Sequence, residues 1–452
     1  MGKLKALFIK LWQMSPWKWA GGVLVVAMIE RLGLWWLYQP ISYSDTHSYR
    51  RLADAILGGW KYYDGTRTPG YPLFMAAIGP DERIWLAQMG LGIAITLLLF
   101  YIGWQLSGRA WFGGIIALAH TLNLGQLFFE ATLLSETLTT FGVILTLAAM
   151  VNWLHHPQRR SIWLAAGLGL LSSLTAITRP LFIYLPLWIL LFVAVSWQKN
   201  VPTLSLKTFT HVIIFILPVV VVLGGWMKFI HDNYHDWALT TMTGFHLVQH
   251  TGVFFEYVPD KYASLRDTYL KYRDIHIAQF GTQTNTIWDA IPEMEKASGL
   301  SFYDLSRTLT RISIQLIREH PGLYLRNVIE GWWMFWRAPV YWQPDALRWG
   351  ALVPILSGLI LAQRVVLIVC NLLFLVTSLA AVGWKRVRVA WNLTPAWWCI
   401  LGTVWIASVL QTILDHGDNP RFLIPLQSLV VLWVLWAGMN IFEKKFRSPV
   451  VE

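Results

Sequence analysis

The chain has 452 residues, 56% of them hydrophobic and only 13% charged, with a mean hydropathy of +0.48. Soluble domains carry about 25% charged residues, so an ordinary cytosolic protein, a disordered chain and a disulfide scaffold are all excluded. The formal charge is nonetheless +11, which suggests either a nucleic-acid partner or a membrane, and where the charges sit decides between them.

Ten apolar runs approach or reach the length of about 20 residues that a helix needs to cross a bilayer core. They cover approximately 20–38, 84–104, 111–128, 135–154, 162–178, 180–197, 209–229, 361–384, 395–414 and 421–442. The fifth and sixth are short and are split by Arg179-Pro180, and the eighth carries Arg364 near its start. The first has a basic leader but no Ala-x-Ala site after it, so it reads as a retained anchor rather than a cleaved signal.

With the N-terminus in the cytoplasm, 15 basic residues fall inside, including Lys3, Lys5, Lys10, Lys18, Arg109, Lys199 and Arg447. Only two acidic residues, Glu443 and Glu452, accompany them. The first outer loop, 39–83, has five charges of each sign, and the long segment 231–349 has 11 basic and 13 acidic residues. The excess is therefore the positive-inside pattern of a multi-span protein with both termini cytoplasmic, and no nucleic-acid partner is expected. Cys370 and Cys399 both fall in predicted spans and form no extracytoplasmic framework. Many of the 28 tryptophans, such as Trp35, Trp36, Trp197 and Trp384, lie at predicted helix ends and read as interfacial anchors.

The expected fold is thus an all-α integral membrane protein of about ten transmembrane helices. It divides into an N-terminal module (1–230), an extracytoplasmic segment (231–350) and C-terminal spans (351–452). Two connections are long, and both fall outside. The first opens Tyr43-Ser44-Asp45-Thr46-His47-Ser48-Tyr49 and continues as a helix to Leu57, ended by Gly58-Gly59. The second has no span of its own; apolar residues at 3–4 spacing (Phe302, Leu305, Leu309, Ile312, Leu316) predict helix over 302–336, interrupted by Pro321. Such a helix pair either lies on the outer leaflet or packs over the bundle.

Two outer features can carry chemistry. Asp45 follows the first span directly; it is either an N-cap for the next helix, as Ser44 also could be, or a hydrated carboxylate available for reaction. Arg67-Thr68-Pro69-Gly70-Tyr71-Pro72-Leu73 is a proline- and glycine-fixed turn that presents one guanidinium at the membrane surface. A guanidinium there either snorkels or meets two phosphate oxygens at once.

Together these motifs resemble the GT-C superfamily of membrane glycosyltransferases, in particular the protein O-mannosyltransferase and aminoarabinose-transferase-like group. The resemblance continues through Leu134-Ser135-Glu136, Ile177-Thr178-Arg179-Pro180, the His320-Pro321-Gly322-Leu323-Tyr324-Leu325 stretch, and Asp418-Asn419-Pro420-Arg421-Phe422. It implies a GT-C-like bundle in which Asp45 is the catalytic base and a polyprenyl-phosphate-linked sugar is the donor. Arg67, Arg421 and Arg179 would hold the donor phosphate, with Tyr49, His47, Tyr71, Glu136 and His416 binding substrate. The acceptor would be a lipid, a glycan or a protein, and direct displacement would invert the anomeric centre. The aminoarabinose-type enzymes carry Lys-Pro-Pro where this chain has Arg67-Thr68-Pro69, which leaves the sugar open.

Glu130 and Glu136 lie near the outer ends of the third and fourth spans; each is either a functional acid at membrane depth or simply loop-exposed. His231 and His235, spaced i,i+4 with Asp232 and Asp236, and the Asp415-His416-Gly417-Asp418 run have metal-like spacing. A divalent metal is a possible cofactor on that basis, though none is required by the reading. The competing functions are a transporter or flippase of a lipid-linked substrate, whose charges would lie mid-bilayer, and an O-antigen ligase or polymerase, whose chemistry would centre on the large loop. For a bacterial source the enzyme is expected in the plasma membrane with its reaction on the outer face; in a eukaryote the same layout would face the lumen of the secretory pathway.

Overall fold

The computed structural model describes residues 13–195, 206–338, 340–416 and 420–446, with the side chains of Pro420 and residues 443–446 excepted. Lys3, Lys5, Lys10, Trp197, Lys199, Gly417, Asp418, Asn419, Arg447 and Glu452 therefore lie outside the described residues.

Among the described residues the chain is helical, with a single isolated β-bridge between Ile41 and Thr132. In chain order the first helices are α1 (Pro16–Leu37), α2 (Ser44–Leu57), α3 (Gly70–Ile78), α4 (Asp81–Ser107), α5 (Ala110–Thr121) and α6 (Leu124–Glu130). They are followed by α7 (Glu136–His155), α8 (Ile162–Thr178), α9 (Leu185–Ala194), α10 (Leu206–Val219) and α11 (Gly225–Tyr234). The long segment after α11 forms α12 (Thr243–Thr251), α13 (Ala263–Phe280), α14 (Thr286–Ser298), α15 (Phe302–Glu319) and α16 (Pro321–Phe335). The chain closes with α17 (Val353–Gly383), α18 (Lys385–Ala390), α19 (Pro395–Leu414) and α20 (Ile424–Phe446).

Seven helical stretches are long and apolar enough to cross a membrane, among them α10 and α11 joined by a π-helical turn as Leu206–Tyr234. This makes the protein a multi-pass α-helical membrane protein, in which one of the expected ten runs is broken and the two short ones stay short. The run 111–128 is not one helix: α5 and α6 meet at 60° and make at most one broken span. The Asn123 side chain accepts from the Gly125 and Gln126 amides and starts a new helix. Gln363 satisfies both sides of the break, accepting from the Leu124 amide and donating to the Leu122 carbonyl. The runs 162–178 and 180–197 give helices shorter than a full span, Ile162–Thr178 and Pro180–Ala194. Even so, α8 lies antiparallel along the whole of α7. Arg160 donates to the Trp153 carbonyl at one end, and Arg179 reaches Glu136 at the other.

The bundle has two chemically different ends. At one, His156 meets Gln105, Arg109 reaches Met439, and Trp397 stacks on Trp436. At the other gather α2, α3, the 131–136 stretch, Arg179 and Arg421. Each end collects the loops that the charge pattern assigns to one side.

The segment that follows α11 has its own core, in which Leu305, Leu309, Ile312 and Leu316 of α15 pack against Phe245, Val248, Tyr269 and Met294. The 3–4 spacing thus reads α15 correctly, and the Pro321 interruption is the α15–α16 boundary. Its continuation is unexpected. Tyr324 donates to the Ile413 carbonyl, Trp332 to Ser408, and Trp336 packs against Phe374 and Trp405. α16 therefore descends beside α19 into the bundle. The chain then returns through Tyr341, which packs against Tyr43 and Phe129, to Gln343, whose amide donates to Tyr38 just past the C-terminal end of α1. The last part of the segment 231–349 therefore packs within the bundle.

Candidate active site

The stretch that follows α1 is clamped to the one that follows α6. Ile41 donates to the Ala131 carbonyl and accepts from the Leu133 amide, and the Thr46 hydroxyl donates to the Leu133 carbonyl. Thr46 also accepts from the Tyr43 amide, so the start of α2 is capped by Thr46 with Tyr43 as the N-cap residue. Ser44 and Asp45 are already inside the first turn. Asp45 is thereby free of the capping role, and its carboxylate turns to other partners.

Those partners are arginines from opposite ends of the sequence. Asp45 Oδ1 lies 2.6 Å from Arg67 Nη2, and Oδ2 lies 2.6 Å from Arg421 Nη2. Arg421 Nε is 3.7 Å from Glu136 Oε1, which Arg179 Nη1 approaches to 3.1 Å. Three arginines thus face two carboxylates in one chain of contacts. Glu136 is the best buried, at 3% exposure, whereas Asp45 and Arg421 are 18% and Arg67 26% exposed. The Asp45–Arg67–Arg421 end is open to solvent, and the Glu136 end is closed.

Each group is held from behind. The Arg67 carbonyl accepts from Tyr63, and the Arg67 guanidinium lies over the Tyr49 ring at 5.6 Å. A side chain on Gly70 would strike Thr178 at 2.6 Å, so glycine there allows the Pro69-Gly70 turn to dock on the end of α8 beside Arg179. Arg179 and Arg421 share the Phe422 ring, at 4.9 and 5.8 Å. Glu136 begins α7, where the helix N-terminus favours negative charge.

Burial alone would raise the Asp45 carboxyl; Arg67 and Arg421, with Arg179 behind them, overcome that and hold it at about 2. The carboxylate is therefore fully ionised and doubly paired.

The structure brings Asp45, Arg67, Arg179, Arg421, Glu136 and Tyr49 together, and leaves the other sequence candidates out. His47 is exposed on α2. Tyr71 is fully buried behind Tyr49, ring against ring at 4.9 Å, and its hydroxyl donates to Gln88; it supports the wall of the site without lining it. His416 packs against His250 at the foot of the segment that follows α11, and its neighbour Asp415 faces His246 at 3.2 Å. Burial, with His416 adding to it, pushes His250 down to about 4, so the His250 ring is neutral at ordinary pH. His231 and His235 do not share a helical face, because α11 ends at Tyr234 and His235 takes a left-handed conformation. His231 stacks on Trp237, and Asp232 and Asp236 pair with Lys228 and Arg307. Among the described residues, no group of three or more His, Cys, Asp or Glu is arranged to hold a metal ion.

Sequence reasoning missed one ionic feature. Arg31 and Glu130, each 2% exposed, pair inside the bundle below the site. The signal was present as Glu30-Arg31 in the middle of the first apolar run, where ionisable residues are costly and call for a partner.

Compared with protein-family models, curated proteins and solved structures, the chain matches none of them.

Proposed function

We propose that the protein transfers a sugar from a polyprenyl-phosphate donor to an acceptor hydroxyl. The observation that carries this reading is the cluster of Arg67, Arg179 and Arg421 around Asp45 and Glu136, half open at one end of a helical bundle. Phosphate needs planar, charged donors, and the general base needs a carboxylate within reach of the same atoms. In the reaction the acceptor oxygen bonds to the anomeric carbon as the bond from that carbon to the phosphate oxygen breaks. The acceptor proton passes to Asp45, and the bonding electrons leave on the lipid phosphate. A single displacement of this kind inverts the anomeric centre.

A carboxylate paired with two arginines is a weak base, and this supplies a gate. The donor phosphate competes for the same guanidinium donors, so its arrival draws Arg67 and Arg421 away from Asp45. The carboxylate then gains basicity at the moment it is needed, while the arginines stabilise charge accumulating on the leaving phosphate. The positive-inside pattern supports ten crossings, cytoplasmic termini and a reaction on the outer face of the plasma membrane.

The alternative is a transporter of a lipid-linked substrate, and the Arg31–Glu130 pair at membrane depth is the observation in its favour. One experiment separates the two. Protein in lipid nanodiscs or vesicles is incubated with defined polyprenyl-phosphate sugars and candidate acceptors, and products are read by mass spectrometry. Wild type is expected to give a glycosylated product and Asp45→Asn none. Full turnover by Asp45→Asn sinks the mechanism, and movement of donor between leaflets without product establishes transport.

A further inference from the structure

We infer that Arg31 and Glu130 are positioning residues for the reaction centre, a buried ionic anchor that sets where Asp45 stands relative to Arg421. The inference rests on the glycosyl-transfer reading for its kinetic test and on geometry alone for its structural one.

Glu130 is the last residue of α6, immediately before the 131–136 stretch on which the site is built. Arg31 Nη2 grips its carboxylate, while Nη1 of the same guanidinium donates to Thr121 at 2.8 Å and to the Ala27 carbonyl at 3.1 Å. Thr121 in turn donates to Glu30. One arginine therefore ties α1 to both arms of the broken α5–α6 element. The space is made by a glycine: a Cβ on Gly92 of α4 would lie 2.0 Å from Glu130 Oε1 and 2.6 Å from Arg31 Nη2.

From this anchor the connections to the site are short and polar. Gln88 of α4 donates to the carbonyls of Glu130 and Thr132 and accepts from Tyr71, whose ring abuts Tyr49 beneath Arg67. Residues 131 and 133 hold Ile41, residue 133 holds Thr46, and Ser135 lies 3.4 Å from the Tyr49 hydroxyl. Asp45 and Glu136, the two carboxylates that share Arg421, are thus both mounted on the stretch that Glu130 begins.

A buried ion pair is weak evidence for net stability, because desolvation offsets its attraction; a role in fixing register is the better attested use. That is the role assigned here. The pair touches none of the reacting groups, so its loss should displace Asp45 without removing it.

The test uses the full chain in nanodiscs. Glu130→Gln, the neutral double variant Arg31→Gln/Glu130→Gln, and Gly92→Ala, which forces the pair apart without changing charge, are compared with Asp45→Asn. Each of the three is expected to lower kcat by about 10–100-fold, the scale of an ångström-size misplacement, with donor KM little changed. The acid limb of kcat/KM should also move to higher pH, because Asp45 loses alignment with Arg67 and Arg421 while Arg179, Glu136 and Tyr49 stay near. An activity-independent arm replaces Cys370 and Cys399 by alanine and introduces Tyr43→Cys with Tyr341→Cys, whose native rings lie 5.8 Å apart. Their disulfide should form more slowly when Glu130→Gln is added. Wild-type kcat, pH profile and cross-linking rate in all three variants would overturn the inference while leaving the function intact. Activity in Asp45→Asn would overturn the function, and the cross-linking arm would still decide the positioning.

Discussion

Two ionic clusters lie one below the other at the same end of the bundle, and they obey opposite rules. The lower, Arg31 with Glu130, is closed: both are 2% exposed, Arg31 bonds Thr121 and Ala27 as well, and Thr121 carries the contact on to Glu30. The upper is open: Arg67, Arg179 and Arg421 outnumber Asp45 and Glu136, and its outer members keep some contact with water. A pair sealed from solvent meets no ligand arriving from outside, and its charges act on the helices that carry them. A cluster with a surplus cation has unspent attraction for an anion. The comparison separates the two clusters by exposure and by which charge is in excess, where proximity to one end of the bundle alone would not.

The most severe test of this contrast is to neutralise one acid in each cluster. Asp45→Asn is expected to reduce kcat by roughly 10³-fold, as loss of a general base does. It should also strengthen donor binding, because Arg67 and Arg421 are left with no carboxylate to compete with the phosphate. Glu130→Gln should have no such effect on donor affinity. Equilibrium binding of polyprenyl phosphate, followed by tryptophan fluorescence, reads the difference, and weaker binding by Asp45→Asn would show that the carboxylate itself contacts the donor. The pH dependence carries the same signature. Asp45 is held at about 2, well below an unfolded carboxyl of about 3.9, so its pairing stabilises the fold above pH ~4 and is lost as pH falls through about 2. Thermal unfolding should therefore show an acid-side loss that Asp45→Asn abolishes.

A middle-sized effect distinguishes the arginines within the open cluster. Arg421 meets Asp45 at 2.6 Å and approaches Glu136 at 3.7 Å, whereas Arg67 meets Asp45 alone among the acids of the site. Removing Arg421 leaves the buried Glu136 short of a counter-charge as well as depriving the donor of a ligand. Arg421→Ala is expected to cost about 1.5–3 kcal/mol in kcat/KM, roughly 10- to 150-fold, through the lost charged hydrogen bond, and to lower the melting temperature. Arg67→Ala should show a kinetic loss of the same kind with less change in melting. Equal melting losses would mean that Glu136 is sustained by Arg179 alone.

How much of this arrangement was legible in the sequence follows from the range of the interactions. The face of α15 was readable because 3–4 spacing is local, and the motifs around Asp45, Arg67, Arg179 and Arg421 placed four members of the site at predicted outer ends. The break at Asn123 was not, since one polar residue barely lowers the hydropathy of 111–128 and the backbone groups it frees are satisfied by Gln363, some 240 residues away. The packing of α16 within the bundle was hidden for a related reason. Leu325, Ile329 and Trp333 are exposed in the structure, so its apolar pattern suits a surface helix, and only the contacts of Trp332 and Trp336 with α17 and α19 reveal its path. Arg31 and Glu130 are 99 positions apart, so although Glu130 stood out as an acid at membrane depth, its partner could not be read from the sequence. Tyr71 shows the converse error: it stands in the most distinctive motif, yet its ring and hydroxyl are spent on Tyr49 and Gln88.

The smallest expected effect concerns how the open cluster holds its surplus cation. Tyr49 carries the Arg67 guanidinium over its ring at 5.6 Å, and its hydroxyl meets Ser135 at a long 3.4 Å. The ring contact is worth about 0.5–2 kcal/mol and the stretched hydrogen bond less, so the face of the ring should dominate. Tyr49→Phe keeps the face and is expected to change kcat/KM by less than about threefold, whereas Tyr49→Leu, which removes it, should cost about 3- to 30-fold. The loss should appear mainly in donor KM, because Arg67 would swing away from the phosphate while Asp45 keeps its bond to Arg421. If Phe proves as damaging as Leu, the hydroxyl is the working atom, and Tyr49 contacts substrate directly instead of only bearing Arg67.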